Sequence, residues 1–240
     1  SGPGKRRVET PPVPETLHWD LWLGPAPERP YSPVYLPAQW RGWWDFGGGA
    51  LGDMACHHMD LPHWALNLKY PSAVVSSGPP VNEECPPNWT AATFTYPARG
   101  KDPAVTLHWY NGSEPPKWFA ENGAPAWAAT VFVGAKGLLA ANYDRLALLP
   151  EEKWTGFSPP PQTIPPSPGH HAEWLAAAKA GRKPSCNFDY SGPLTEAVLL
   201  ANVAYRSGGP IEFDAKACKV KGNPKAEQFM SAVWRPGWTL

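Results

Sequence analysis

No run of apolar residues in this chain approaches the about 18 that a membrane-crossing helix needs, so no transmembrane span is expected. The N-terminal stretch has no apolar core of the kind that marks a secretory signal. Cysteine is scarce: four in 240 residues, at positions 56, 85, 186 and 218, with no CxxC pair. That argues against a disulfide scaffold. Net charge is missing too. Lys plus Arg and Asp plus Glu both number 21, so no basic excess exists to release counterions, and no nucleic-acid partner is expected. The one basic cluster, Lys5-Arg6-Arg7, is short and borders a Pro-rich run, which is the pattern of a solvated tail. A cytoplasmic location is expected. The chain opens on Ser1-Gly2-Pro3-Gly4 rather than Met, so targeting information upstream, and with it a periplasmic location, stays open.

What the chain has in excess is Trp and Pro, 14 and 32 respectively. Many prolines favour long ordered loops over long helices. Trp fills cores and interfaces, and its flat amphipathic ring can also line a carbohydrate site. Residues 1–46 form a Pro- and Trp-rich lead-in, loop-like and pinned to a surface by Trp19, Trp22, Tyr31, Tyr35 and Trp40. Residues 47–240 read as the body of a single domain.

Over 50–67 the spacing predicts a helix with Leu51, Met54, His58, Leu61 and Ala65 on its apolar face and a kink at Pro62. Period-two alternation predicts strands near 73–77, 90–96, 103–110, 127–134 and 137–142, with a hairpin turn over Gly134-Ala135-Lys136-Gly137. Helices are predicted over 170–181 and 193–207, stopped by Gly181 and Gly208, then a short strand at Ile211-Glu212-Phe213. Strands in a run followed by helices imply an α+β fold, an open and mostly antiparallel sheet with helices on one face.

The stretch that carries chemistry runs from Gly47 to Asp60, GGGALGDMACHHMD. Asp53 and His57 stand four apart, on one face of the predicted helix, and Asp60 follows a turn later. A carboxylate near an imidazole can hold its tautomer and raise its basicity, which suits a general acid or base near neutral pH. The same spacing also fits a surface ion pair. The glycines allow another chain segment, or a flat ligand, to approach the helix start. Gly47-x-Gly49-x-x-Gly52 formally fits a dinucleotide fingerprint, but Trp43-Trp44-Asp45-Phe46 is a poor leading strand and no acidic residue closes the next one. Asp53, Cys56, His57, His58 and His63 are metal-ligand types, yet His57 and His58 point apart on a helix and no complete ligand set is evident.

Three glycines, then Asp, His and Asp at this spacing resemble the C-terminal-domain signature of the glucose–fructose oxidoreductase, inositol dehydrogenase and rhizopine-catabolism (Gfo/Idh/MocA) family. The segments Trp19-Asp20-Leu21-Trp22-Leu23-Gly24-Pro25, Trp40 to Phe46, Phe188 to Glu196 and Arg235-Pro236-Gly237-Trp238 resemble further landmarks of that family. The resemblance implies a substrate-side domain whose partner, a Rossmann domain holding NAD or NADP, is absent from these residues. No Glu-Lys-Pro turn, which belongs to that Rossmann domain, occurs here. His57 would be the catalytic acid/base toward a sugar or polyol hydroxyl, and Asp53 would orient and polarise the site. The sheet's free face would join copies of the chain into a homo-oligomer. A glycosidase that uses NAD on the same scaffold, or a non-catalytic sugar-binding or oligomerisation domain, are the alternatives.

Four further residues are candidates for substrate contact. Arg41 precedes the glycines, and a structural ion pair suits it equally. Trp43 would stack on a sugar ring unless it packs in the core. Asp60 would touch substrate unless it ties the helix to a loop. Tyr143, after the hairpin's second strand, would face the site.

Overall fold

The computed structural model describes residues 9–112 and 116–238; the Lys5-Arg6-Arg7 cluster lies outside the described residues. The lead-in is more structured than its prolines suggest. It holds a short helix, α1 (Trp19–Leu23), and 3-10 turns at Pro33–Tyr35 and Gln39–Gly42. Its rings build a small core of their own. Trp19 stacks on Trp22 with centroids 4.9 Å apart, and Tyr35 meets Trp43 edge-on at 5.0 Å. The Arg29 guanidinium lies over the Tyr35 and Phe46 rings and pairs with Asp45 and Glu84. A cation drawn out of water this far is stable there because ring faces and carboxylates replace the lost hydration.

Two helices, α2 (Gly49–His58) and α3 (Asp60–Ala65), stand where one kinked helix was expected. The break falls at Met59, ahead of Pro62. Proline then sits in the first turn of α3, where its missing N–H does least harm. The His58 carbonyl that Pro62 cannot serve accepts a hydrogen bond from the Thr130 hydroxyl at 3.1 Å. The buried stripe is Leu51, Ala55 and Met59, continued by Pro62 and His63. The expected apolar face was therefore out of phase: Met54, Leu61 and Ala65 are exposed and His58 is half-buried. The stripe keeps helical spacing through the break, since the Met59 N–H bonds to the Ala55 carbonyl and the His63 N–H to the Met59 carbonyl, so His63, four residues after Met59, points inward and His58 does not.

Alternation then builds the main sheet. Strands β1 (Ala73–Ser77), β2 (Thr90–Tyr96) and β3 (Val105–Asn111) pair antiparallel, with Val74 opposite Phe94 and Phe94 opposite Leu107. Beyond a short helix, α4 (Lys117–Glu121), comes a separate three-stranded sheet of β4 (Thr130–Gly134), β5 (Gly137–Ala141) and β6 (Leu146–Leu149). Gly134 pairs with Gly137 across the expected two-residue turn. Helix α5 (His170–Lys179) follows the Pro-rich loop, and then α6 (Phe188–Ser207). The latter starts five residues before the expected Pro193, because the Asn187 side chain caps it by accepting from the Asp189 N–H at 3.0 Å. It ends at Gly208, in the left-handed conformation at φ +72°. Strands β7 (Ile211–Asp214) and β8 (Lys219–Lys221) complete the large sheet in the order β3-β2-β1-β7-β8.

The core lies between this sheet and α6. Val74, Phe94, Tyr96, Ile211 and Phe213 meet Leu194, Val198, Ala201 and Ala204, and α2 adds Leu51, Ala55 and Met59. The architecture is thus α+β with open antiparallel sheets. Among the described residues every strand pair is antiparallel, so they hold no parallel β-α-β unit. No described helix is long and apolar enough to cross a membrane. The C-terminal tail folds back on the lead-in: Arg235 pairs with Asp20 at 2.7 Å and donates to the Gly24 carbonyl at 2.6 Å.

His63 is 2% exposed and hydrogen-bonded to the Tyr96 hydroxyl at 2.9 Å. Burial pushes its pKa down to about 4. The unfolded chain therefore takes up a proton near the ordinary histidine value of about 6.5 while the folded chain does not, so stability falls as pH drops from about 6.5 to about 4. Urea unfolding at steps across that range should show a loss on the order of 3 kcal/mol from this group. His63→Gln should remove that slope.

Candidate functional site

The start of α2 is held by close contacts that only glycine permits. A Cβ on Gly47 would stand 2.7 Å from the Arg41 Cα, and one on Gly48 2.7 Å from the Asn202 amide nitrogen. Gly49 has φ +65°, and its Cβ would fall 2.5 Å from that of Pro86. The Asn202 amide, from the middle of α6, donates to the Gly48 carbonyl at 3.1 Å. The glycines thus admit this chain's own segments. The approach of a flat ligand, left open by the sequence, is taken up by Arg41, Asn202 and Pro86. No strand leads into them either, since Gln39–Gly42 is a 3-10 turn. These residues do not fit a dinucleotide pyrophosphate.

From that anchored start, α2 carries Asp53 and His57 one turn apart. Asp53 accepts a hydrogen bond from Arg41 Nε at 3.0 Å, with side-chain exposures of 37% and 44%. Arg41 also lies over the Trp40 ring at 4.4 Å. In water such a pair is worth at most about 1 kcal/mol, so its consequence is orientation rather than stability. His57 is exposed beside it. Of the two readings open for Arg41, the ion pair is what forms, and it joins the carboxylate that was expected to serve His57.

The other candidates separate. Asp60 accepts from the Tyr190 hydroxyl at 2.6 Å, which ties α3 to α6 rather than to a loop. Burial, reinforced by this bond, pushes the Tyr190 pKa upward. Trp43 is fully buried, and its indole N–H donates to the Val34 carbonyl at 3.3 Å. It offers no free face for stacking on a sugar, because the lead-in core encloses it. Tyr143 is exposed, and its ring lies 5.7 Å from that of His58, which in turn stands 6.3 Å from Trp109. Burial, and then the neighbouring His57 charge, lower the His58 pKa. Among the described residues no three His, Cys, Asp or Glu side chains gather to hold a metal; His63 turns inward while His57 faces out.

Two residues that shape the site were missed. Asn202 left a signal, as an amide inside the apolar run Ala197 to Val203. Tyr190 left none that spacing would reveal, since its partner lies 130 residues away. A cavity of about 280 Å³ beside Tyr190 is lined by residues of α3 and α6, and another of about 550 Å³ lies against β5 and β6. Neither is lined by His57.

Gly49→Ala adds a Cβ at a left-handed φ and against Pro86, so it should lower stability by about 2 kcal/mol or more, as such strained positions do. Thermal or urea unfolding would measure it. Gly52→Ala, with nothing nearer than 3.6 Å, should be mild. Residues 2–104, which include this helix, match the family model described as oxidoreductase family, C-terminal alpha/beta domain. No curated protein matches the chain. Fold, signature helix and matched segment agree: over residues 2–104 the chain is similar to the C-terminal α/β domain of the Gfo/Idh/MocA oxidoreductase family.

Proposed function

We propose that this chain is the substrate-side, catalytic domain of an NAD- or NADP-dependent oxidoreductase that acts on a hydroxyl of a sugar or cyclic polyol. The observation that supports this most is the exposed His57 on a helix with a locked start, one turn from a carboxylate fixed by Arg41. An imidazole placed there would take the hydroxyl proton as the carbon is oxidised and return it in the reverse direction. Arg41 and Asp53 present a donor and an acceptor to neighbouring hydroxyls. The nicotinamide would supply hydride chemistry, held by a Rossmann domain outside the residues described. The outer face of the large sheet, with Val75 and Tyr110 both about half exposed, is the surface on which copies would join.

The test uses the enzyme with its Rossmann domain. His57→Asn should lower kcat by a factor of about 10² to 10⁴ while leaving unfolding unchanged, the usual contribution of a positioned acid/base. An unaltered kcat on sugars and polyols would remove His57 from the chemistry. Separately, Val75→Arg places a charge at the centre of the sheet's outer face and should reduce the mass seen by light scattering; an unchanged mass would move the interface elsewhere.

A further inference from the structure

The cavity of about 280 Å³ between α3 and the first turns of α6 is unused by the Arg41, Asp53 and His57 group. Its volume lies just below the about 300–1,000 Å³ typical of small-molecule sites, a size for one ring. Trp64 stands at its wall with 58% of its surface exposed. An indole left this open keeps apolar area in water that folding did not remove. Around it stand charged and polar groups of both kinds. Lys183 pairs with Asp189, and Lys69 and Asn67 come from the turn that follows α3. That turn is tight. Asn67 is left-handed at φ +48°, and the Leu68 N–H donates to the His63 carbonyl at 2.9 Å, which brings Lys69 back beside the cavity.

We infer that this cavity binds a single sugar or polyol ring, with Trp64 against the ring's C–H face and the Asp189 and Lys183 pair on adjacent hydroxyls. The ligand chemistry follows from the lining. A purely apolar ligand would make no use of the Lys183 and Asp189 groups at the rim, whose side chains are 72% and 75% exposed. A simple anion would find Lys183 already paired and Asp189 repelling it. A ring that is apolar on its faces and hydroxylated at its edge satisfies both. Asp189 is an acceptor over the ordinary pH range, because the Lys183 hydrogen bond holds its carboxyl below the usual value. Tyr190 serves as a wall, its hydroxyl being engaged by Asp60. The inference does not rest on the chemistry assigned to His57.

The test is calorimetric or NMR titration of this chain with methyl β-glucopyranoside, methyl β-galactopyranoside, myo-inositol and inorganic phosphate. Saturable millimolar binding of at least one of the ring compounds is expected. It should weaken by about tenfold or more, about 1.4 kcal/mol, in Trp64→Ala and in Asp189→Asn. It should be unchanged in Trp174→Ala, an equally exposed indole on α5. Trp64 is exposed enough to be removed without unfolding, and Lys69→Ala replaces Asp189→Asn if that variant disturbs the start of α6. Absence of binding by every ring compound, binding of phosphate alone, or retention of affinity in Trp64→Ala would overturn the inference. Loss in His57→Asn with retention in Trp64→Ala would place the sugar on α2, which overturns the cavity reading but leaves the proposed catalytic role standing.

Discussion

Three close contacts on the glycines at the start of α2 hold the rest in place. The Arg41 turn, the Asn202 amide and Pro86 approach Gly47, Gly48 and Gly49 so closely that a methyl group has no room. Each contact joins a different part of the chain: the lead-in, the central helix of the core, and the loop between β1 and β2. Together they fix where α2 begins and how it is rotated. With rotation fixed, Leu51 and Ala55 enter the core and Asp53 and His57 are left outside, on the side where Arg41 lies. The glycines therefore act on the site at one remove, by denying the helix any other setting.

The larger features were legible because they repeat. Strands β1 to β3 show period-two alternation, the hairpin has glycine at both ends, and α6 stops at a glycine with positive φ. What escaped lacks a period. Strand β8 is Lys-Val-Lys, one apolar residue in three, and β6 is Leu-Ala-Leu-Leu, with no alternation at all. Pro193 masked the first five residues of α6, because a proline reads as a beginning when the cap at Asn187 is not recognised. In α2 the small Ala55 and not the larger Met54 enters the core, so the buried face runs through Met59 to His63 and leaves His58, expected inside, only half-buried.

Site residues followed the same division. Asp53 and His57 were legible from local spacing, since four residues on a helix is a geometric fact. Partners were not. Spacing alone left the Asp53 carboxylate to His57 or to a surface cation, and the cation that meets it is 12 residues upstream in a loop. Trp43 sits between two regions that looked functional, yet ring packing within the lead-in decided its place. Aromatic identity says how much a residue can bury, and neighbours distant in sequence decide against what.

The exposed Arg41–Asp53 pair gains its meaning from what would cover it. In open solvent it contributes little, since water screens both partners and competes for each hydrogen bond. A covering domain that excluded water would lower the local dielectric, and the same 3.0 Å contact would then act several times more strongly on any charge developing beside it. In the proposed reaction His57, one turn away, is the group that would feel the change. The lead-in and the glycine contacts supply the rigidity this requires, because a field aimed at a fixed point helps a reaction only if its source does not have to move when the charge appears. Under the proposed function, a weak surface pair on a firmly held helix is what a half-site would need before a covering domain closed over it.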